Sequence, residues 1–388
     1  KKHIFGDYIR QIMINRTIKE KLLNKVDYKK AIILLGPRQV GKTTLITEIA
    51  ESLGSYLLIN GDDPEVRLLW NNPTKSFIER YIGNHKIVVI DEAQRLENIG
   101  LSAKMIIDAQ KDIQLFISGS SALELGNKIN EPLTGRKWEY HLYPLSWQEV
   151  KNHYSFAKTL PLLEQFLITG MYPDVLTNPI DSIEILKNLA GSFLYKDILE
   201  LGGIRRPEIL LKLLQALALQ IGNEVSYNEL SQTVGADKAT VMSYIDMLEK
   251  TFVIFRLSPL ARNPRNEINT TRKIYFYDNG VRNAILNNFS PLDLRNDVGS
   301  LWENFIISER KKLLEYHNIF SNTYFWRNRS QSEIDYIESR NQEFNAFEMK
   351  WNPKVNSKFP KAFVDFYKPI KMEIINRENY WEFLDENN

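Results

Sequence analysis

A glycine-rich loop supplies the first candidate chemistry in this sequence of 388 residues. Residues 36–43 read G-x-x-x-x-G-K-T, between the apolar run Ala31–Leu35 and the amphipathic stretch Thr44–Leu53. This is the order of strand, loop and helix that a P-loop requires. The backbone N–H groups of such a loop face phosphates at a helix N-terminus. We therefore predict a site for ATP or ADP in which Lys42 contacts the phosphates and the Thr43 hydroxyl is a ligand of Mg²⁺.

A buried strand that ends in carboxylates is the second element such a site needs. Ile87–Ile90 is a run of β-prone apolar residues, and Asp91 and Glu92 follow it directly. Such a run is typical of a strand covered on both faces, as in a parallel sheet. We expect Asp91 to hold the magnesium shell and Glu92 to be the catalytic residue that orients or polarises the attacking water.

A cluster of serines follows the next apolar run, Ile113–Ile117. A hydroxyl at the end of a neighbouring strand can contact the γ-phosphate or the water, but ordinary turn chemistry after a strand explains the same residues equally well. With these serines included, the expected nucleotide contacts are Gly36, Pro37, Arg38, Gln39, Val40, Gly41, Lys42, Thr43, Thr44, Asp91, Ser118 and Ser120.

Composition and charge limit the classes of protein to which the chain can belong. It is 43% hydrophobic and 25% charged, as globular proteins are, and its length predicts two or three domains. The absence of cysteine excludes disulfides, thiolate zinc sites and cysteine nucleophiles, and it fits a cytoplasmic protein. No apolar run is long enough for a membrane span, so no membrane partner is expected. A net charge of +2 means that a nucleic-acid partner would need a local basic patch.

A series of motifs runs through nearly the whole chain. In order, they are GPRQVGKTT, NGDDPEVR, VVIDEAQRL, FISGSSALEL, LTGR, YPLSWQEV, ITGMYPDVL, KIYFYDNGVRN and GSLWENFI. Their order and spacing resemble one family, the AAA-type ATPases of bacteria and archaea that carry a winged helix and a restriction-endonuclease-like C-terminal domain. One departure is Met171, at a position where the family often has a second glycine.

The resemblance implies an α/β fold with four parts. They are a P-loop AAA-type ATPase core with a parallel sheet at residues 1–142, a helical lid at 143–203, a winged helix-turn-helix at 204–272 and an α/β restriction-endonuclease-like domain at 273–388. It also implies that Arg136 and the serines near Ser118 monitor the nucleotide. Without the resemblance Arg136 would be read as a surface residue; with it, we expect a catalytic guanidinium that neutralises phosphate charge.

The residues of the third part support a helix-turn-helix independently. Pro207–Ile221 is typical of a buried helix, and Ser226 with Glu229 predicts a capping box at the start of a short helix. Asp237 is placed to cap a third helix, Lys238–Thr251, in which Val241, Ile245 and Leu248 form an apolar stripe. The β-prone segment Phe252–Leu257 would begin the wing.

DNA contact is one of two interpretations of this part. The third helix carries mixed charge, whereas a wing would cluster the basic residues Arg256, Arg262, Arg265, Arg272 and Lys273. Such a wing would grip the backbone, so recognition would depend on DNA structure rather than on sequence. The alternative is that the module packs against, or binds, another protein.

The last part carries the residues of a nuclease core. Asp335 lies in one alternating stretch, and Glu348 and Lys350 lie on one face of the next. An acid followed by E-x-K on the adjacent strand resembles the PD-(D/E)xK arrangement. In that arrangement Asp335, Glu348 and Glu303 would hold Mg²⁺, and Lys350 would position or activate water. A working nuclease and a retained fold without activity remain open.

Two functions follow from these parts. In the first, an ATPase drives rearrangement of DNA that the second half holds or cuts. In the second, a slow nucleotide-operated switch uses its second half to recognise a protein partner in signalling or defence. The chain can form an oligomer under either reading, and Arg136 can serve its own site or a neighbour's.

Overall fold

The computed structural model describes residues 13–27, 29–109, 112–120, 122–194, 206–261, 271–355 and 357–385. The chain divides into two compact units. The first unit is Lys1–Leu145 with Lys250–Phe252, and the second is Ser146–Glu249 with Val253–Asn388. Among the described residues, no helix has both the length and the apolar character needed to cross a membrane.

A five-stranded parallel sheet forms the centre of the first unit. Its strands are β1 (Ala31–Leu35), β2 (Tyr56–Asn60), β3 (Ile87–Asp91), β4 (Gln114–Gly119) and β5 (Lys137–His141), in the order β2-β3-β4-β1-β5. Every residue of β1, β3 and β4 is buried, because helices cover both faces. The predicted α/β fold with a parallel sheet is confirmed.

Helices connect the successive strands of this unit, as parallel pairing requires, and a further helix precedes β1. They are α1 (Ile18–Leu23), α2 (Lys42–Leu53), α3 (Pro64–Leu69), α4 (Lys75–Ile82), α5 (Ile99–Ala109) and α6 (Ala122–Ile129). Because all the strands run the same way, the residues that follow β1, β3 and β4 meet at one edge of the sheet. The P-loop, Asp91 and the serines therefore converge there, although they are far apart in the chain.

A mixed seven-stranded sheet forms the centre of the second unit, in the order β12-β11-β10-β9-β7-β8-β6. The strands are β6 (Glu224–Val225), β7 (Ile254–Pro259), β8 (Arg272–Phe276), β9 (Asn322–Arg327), β10 (Glu333–Arg340), β11 (Glu343–Met349) and β12 (Lys371–Ile375). Pairs β7–β9 and β11–β12 are parallel and the others antiparallel. The helices are α7 (Trp147–Tyr154), α8 (Phe156–Thr159), α9 (Leu163–Thr169), α10 (Pro173–Thr177), α11 (Ser182–Asn188), α12 (Pro207–Leu219), α13 (Tyr227–Val234), α14 (Lys238–Lys250), α15 (Asn279–Ile285), α16 (Val298–Tyr316), α17 (Lys361–Tyr367) and α18 (Tyr380–Phe383).

Helices α12, α13 and α14 lie at the positions where the sequence predicted three helices. Asp237 caps α14 by accepting a hydrogen bond from Thr240 N at 2.9 Å, and the stripe of Val241, Ile245 and Leu248 is buried. Ser226 precedes α13, but its side chain makes no capping hydrogen bond, so the predicted capping box is wrong. The loop of the expected wing, residues 262–270, lies outside the described residues, and strands β7 and β8 on either side of it pair with each other. They continue, through β9, into the sheet that holds β10–β12.

The helices expected to form a lid belong to the second unit. Helix α9 packs against α15, and Asn283 on α15 donates hydrogen bonds to the carbonyls of Leu167 and Ile168 at 3.1 and 2.8 Å. Asp278 accepts from Met171 N at 2.7 Å. These bonds fasten the ITGMYP segment to the start of α15.

Candidate nucleotide-binding site

Backbone geometry at residues 36–41 shapes the loop. Gly36 passes so close to the next segment that an added Cβ would lie 2.0 Å from the carbonyl oxygen of Leu142. Gly41 (φ 91°) precedes α2, and Gln39 (φ 61°) is also in the left-handed region. Such φ values are strained for side chains other than glycine and persist where the surroundings enforce them. The glycines of the motif are thus needed for the path of the loop.

Lys42 lies inside the loop, with only 4% of its surface exposed. Its Nζ donates to the carbonyl oxygens of Gly36 and Pro37 at 2.9 and 2.8 Å. From the N-terminal segment, Arg16 donates to the carbonyls of Val40 and Tyr143, each at 2.6 Å. Arg16 was not identified from the sequence, because a basic residue about fifteen positions ahead of a strand is common. It ties the loop to the segment after β5.

Asp91 at the end of β3 joins the loop to the neighbouring strand. The Thr43 hydroxyl donates to Asp91 Oδ2 at 2.8 Å, and the buried Ser118 hydroxyl donates to Asp91 Oδ1. A hydroxyl and a carboxylate oxygen at the P-loop are ligands that suit Mg²⁺, so these residues fit the ion that the motif implies. Ser118 positions the carboxylate in this arrangement.

Glu92 lies directly after Asp91 and has a left-handed backbone conformation (φ 47°). Gln94 is buried. Its Nε2 donates a hydrogen bond to Glu92 Oε2 and another, at 3.0 Å, to Ser120 Oγ. Gln94 Oε1 is buried and has no hydrogen-bond partner among the residues that the structure describes. Lys128 on α6 fixes this turn by donating to the carbonyl of Gln94 at 2.6 Å. Gln94 and Lys128 were not identified from the sequence, where neither has a distinctive spacing.

Arg136 lies at the opposite edge of the sheet from the P-loop. Its carbonyl accepts from Ala31 N, the first residue of β1, whereas the loop follows Leu35 at the other end. Five strand residues span about 16 Å. The Arg136 guanidinium instead pairs with Asp108 at 3.0 Å. The strand direction therefore separates Arg136 from the loop of its own chain, and its predicted catalytic role stays a prediction.

A cavity of about 430 Å³ adjoins the start of α2. It is lined by Met13, Asn15, Thr44, Thr47, Glu48 and Glu51. Thr44 connects this space to the phosphate loop, and Met13 and Asn15 come from the N-terminal segment that also carries Arg16. Neither N-terminal residue lies in a motif or in a periodic pattern, so neither could be predicted from the sequence.

The acidic residues expected in the second unit do lie close together. Tyr336 pairs with Phe347 in the β10–β11 hairpin, which brings their neighbours Asp335 and Glu348 side by side. Lys350 Nζ bridges the two carboxylates, 3.1 Å from Asp335 Oδ2 and 2.7 Å from Glu348 Oε2.

A second lysine, Lys273, also lies among these carboxylates. Lys273 Nζ lies 2.9 Å from Glu303 Oε1 and 3.9 Å from Asp335 Oδ1. Among the residues that the structure describes, no group of three or more acidic or histidine side chains is arranged to hold a metal ion. Glu303, Asp335 and Glu348, the expected magnesium ligands, do not form such a group, and lysines lie between their carboxylates.

Two of the basic residues expected in a wing, Arg256 and Lys273, are paired with acidic residues of the same chain. Arg256 pairs with Glu249 at 2.9 Å and with Asp246 at 2.7 Å, so its charge is neutralised within the chain. Lys273, with 1% of its side chain exposed, cannot face DNA. Of the other three arginines expected there, Arg272 begins β8 and donates to the carbonyl of Thr271 at 3.1 Å, and Arg262 and Arg265 lie outside the described residues.

Comparisons with known proteins agree with the geometry of the first unit. Residues 28–151 match the AAA domain, residues 160–292 match a domain of unknown function (DUF8612), and residues 298–380 match another (DUF4143). The chain is 26% identical over 364 residues to an uncharacterized protein of Mycobacterium tuberculosis, with 91% of this chain and 78% of that protein covered. It is 24% identical over 390 residues to an uncharacterized protein of Methanocaldococcus jannaschii, with 94% and 84% covered.

A solved structure extends the agreement to the fold. The Walker-type ATPase of Pyrococcus abyssi is similar with a TM-score of 0.50 at 16% identity, covering 71% of this chain and 96% of that one. The chain carries an AAA-type ATPase-like domain. The two matches to domains of unknown function give no support to a winged helix or a nuclease.

Proposed function

We propose that the chain binds ATP together with Mg²⁺ at residues 36–43 and hydrolyses it. The observation that carries this proposal is the hydrogen bond between the Thr43 hydroxyl and Asp91 Oδ2, at 2.8 Å. It unites the loop of a P-loop site with the strand-end carboxylate that such a site requires. A glycine-rich turn elsewhere on a surface would have no such partner.

Phosphate binding is the task of the loop and of Lys42. The backbone N–H groups at the start of α2 favour anions, since the helix dipole concentrates positive charge there. Lys42 Nζ, held on the carbonyls of Gly36 and Pro37, needs only a small movement to exchange one of these acceptors for a phosphate oxygen. Thr43 and Asp91 would hold Mg²⁺, which supplies neutralisation of the phosphate charge when bound.

Glu92 is the residue that we propose receives the proton of the attacking water. Its carboxylate follows the end of β3, and its left-handed backbone directs the chain away from the strand at that point. The hydrogen bond from Gln94 Nε2 keeps Glu92 Oε2 oriented, and Gln94 also links Glu92 to Ser120. We infer that this linkage makes the orientation of Glu92 sensitive to groups bound beside Ser120.

The nucleoside is proposed to occupy the cavity beside α2. Its volume of about 430 Å³ accommodates a base and ribose, and Thr44 lies between it and the phosphate loop. Met13 offers an apolar surface for the base, and Asn15 offers both a donor and an acceptor for its edge.

The described residues favour a nucleotide-operated switch over an enzyme that acts on DNA. Arg256 and Lys273 are engaged by carboxylates of the same chain, so they contribute little to phosphate binding. We propose that the second unit recognises a protein partner, and we derive no cleavage step from Asp335, Glu348 or Lys350.

ATP turnover measured with and without DNA tests both parts of the proposal. Turnover should be lost in Lys42→Ala, and single-stranded, duplex and branched DNA should leave the wild-type rate unchanged. Stimulation of several-fold by any of these DNAs would overturn the switch and support action on DNA. Absence of ATP turnover and of ATP binding would overturn the nucleotide site itself.

A further inference from the structure

The carboxylate cluster of the second unit is built around a buried lysine. Lys273 lies on β8, and its side chain is 1% exposed. Three acidic side chains surround its Nζ: Glu303 at 2.9 Å, Asp335 at 3.9 Å and Glu333 in direct contact. These acids come from α16 and β10, so the lysine joins a helix to the sheet.

Strand geometry fixes the lysine in this position. Residues two apart on a strand share a face, and Tyr275, two residues beyond Lys273, donates to the same Glu303 Oε1 at 2.6 Å. On the other side, the ring of Phe325 lies 5.7 Å from Lys273 Nζ. An ammonium group so enclosed has no access to solvent, and its charge must be balanced locally.

Burial makes a negative charge on the carboxylates of this cluster costly, which favours a cation placed among them. Burial raises the pKa of Glu303 to about 7, even though Lys273 acts to lower it. Burial and the nearby Asp335 raise the pKa of Glu348 to about 7. Lys350 Nζ takes the space between Asp335 and Glu348, as Lys273 does between Asp335 and Glu303.

We propose that Lys273 is a built-in cation that replaces a divalent metal ion among Glu303, Glu333 and Asp335. The ammonium gives these carboxylates the neutralisation that a metal would give, but it cannot polarise a water molecule. The cluster therefore holds α16 against the sheet and does not take up Mg²⁺. Removing the ammonium should leave an acidic pocket in which a divalent ion can bind.

Mn²⁺ titration of the nucleotide-free full-length chain tests this proposal. We expect wild type and Asp335→Asn to bind Mn²⁺ identically, because Asp335 is already paired. We expect Lys273→Ala to gain a saturable site at least tenfold tighter than any in wild type. That site should vanish in the double variant Lys273→Ala, Asp335→Asn.

Two results would overturn the proposal. The first is Mn²⁺ binding by wild type that weakens in Asp335→Asn, which would show that the cluster holds a metal despite Lys273. This comparison needs no lysine variant, so it remains decisive if Lys273→Ala does not fold. The second is a folded Lys273→Ala protein, judged by its thermal unfolding midpoint and circular dichroism, that gains no site.

Discussion

Thr43 and Asp91 are 48 residues apart in the chain, yet the hydroxyl of the first lies 2.8 Å from the carboxylate of the second. Parallel pairing produces this contact. Strand β1 leads into the loop and β3 ends at Asp91, with β4 lying between the two strands in the sheet. Ser118, at the end of β4, completes the arrangement from that intervening strand by bonding the other carboxylate oxygen.

Replacement of Lys42 tests the phosphate contact. We expect Lys42→Ala to bind ATP roughly tenfold to a hundredfold more weakly, because a charge-assisted contact contributes about 1.5–3 kcal/mol. Titration with labelled ATP measures the change. Lys29→Ala is the matched control, since Lys29 is exposed just before β1, at the far edge of the sheet. Equal weakening in both variants would contradict a specific role for Lys42.

Arg136 should be dispensable for nucleotide binding by its own chain. The residue lies at the edge of the sheet opposite the loop, and its half-exposed pair with Asp108 contributes little to stability. We expect the ATP affinity of Arg136→Ala to equal that of wild type. Asp108→Ala serves as the control for loss of the ion pair. A large loss of affinity in Arg136→Ala alone, at protein concentrations where the chain is monomeric, would contradict this placement.

Mixing two inactive variants tests whether Arg136 acts in catalysis at the nucleotide site of a neighbouring copy. Arg136→Ala and Lys42→Ala are each expected to be slow if Arg136 serves the site of another copy. A mixture would then regain turnover, because one copy supplies the guanidinium and the other an intact loop. Full turnover by Arg136→Ala alone would remove the residue from catalysis altogether.

The buried Glu303 should make stability depend on pH in a definite direction. Its pKa is raised to about 7 in the folded protein, against an ordinary value of 4.5. Between these values the folded state holds more protons than the unfolded state, so the free energy of unfolding falls as pH rises from about 4.5 to 7. The side chain that Glu303→Gln introduces does not titrate, so this variant should not show that fall. We therefore expect the free energy of unfolding of Glu303→Gln, measured relative to that of wild type, to increase from pH 5 to pH 7.

Thermal or denaturant unfolding at both pH values measures this difference. Glu343→Gln is the matched control, because Glu343 lies exposed on β11. We expect its stability relative to wild type to be the same at both pH values. A relative stability of Glu303→Gln that does not change with pH would contradict the raised pKa.

The nucleotide loop could be predicted because its signals are local. A run of buried β-prone residues followed by Gly36–Thr43, and another followed by Asp91, carry their structural context in adjacent positions. The central strands are buried at every residue, as those continuous apolar runs predicted. The neighbouring strands that carry Asp335 and Glu348 were likewise predicted, because each segment has a local alternating pattern.

The failures share a physical cause, which is dependence on distant partners. Lys273 was assigned to an exposed wing, because no local pattern shows that Glu303, 30 residues later, and Glu333 enclose it. Arg136 sits just before a strand, and only the direction of that strand's pairing decides at which edge it lies. Arg16 depends on a carbonyl 127 residues away.

ATP turnover by Glu92→Gln tests the central claim most directly. We expect this variant to bind labelled ATP as tightly as wild type, because Lys42, Thr43 and Asp91 are unchanged. Its single-turnover hydrolysis should be slower by roughly 10²- to 10⁴-fold, the usual contribution of a general base. Glu97→Gln, which changes an exposed carboxylate five residues further along, should hydrolyse ATP at the wild-type rate. Wild-type hydrolysis by Glu92→Gln would contradict the account.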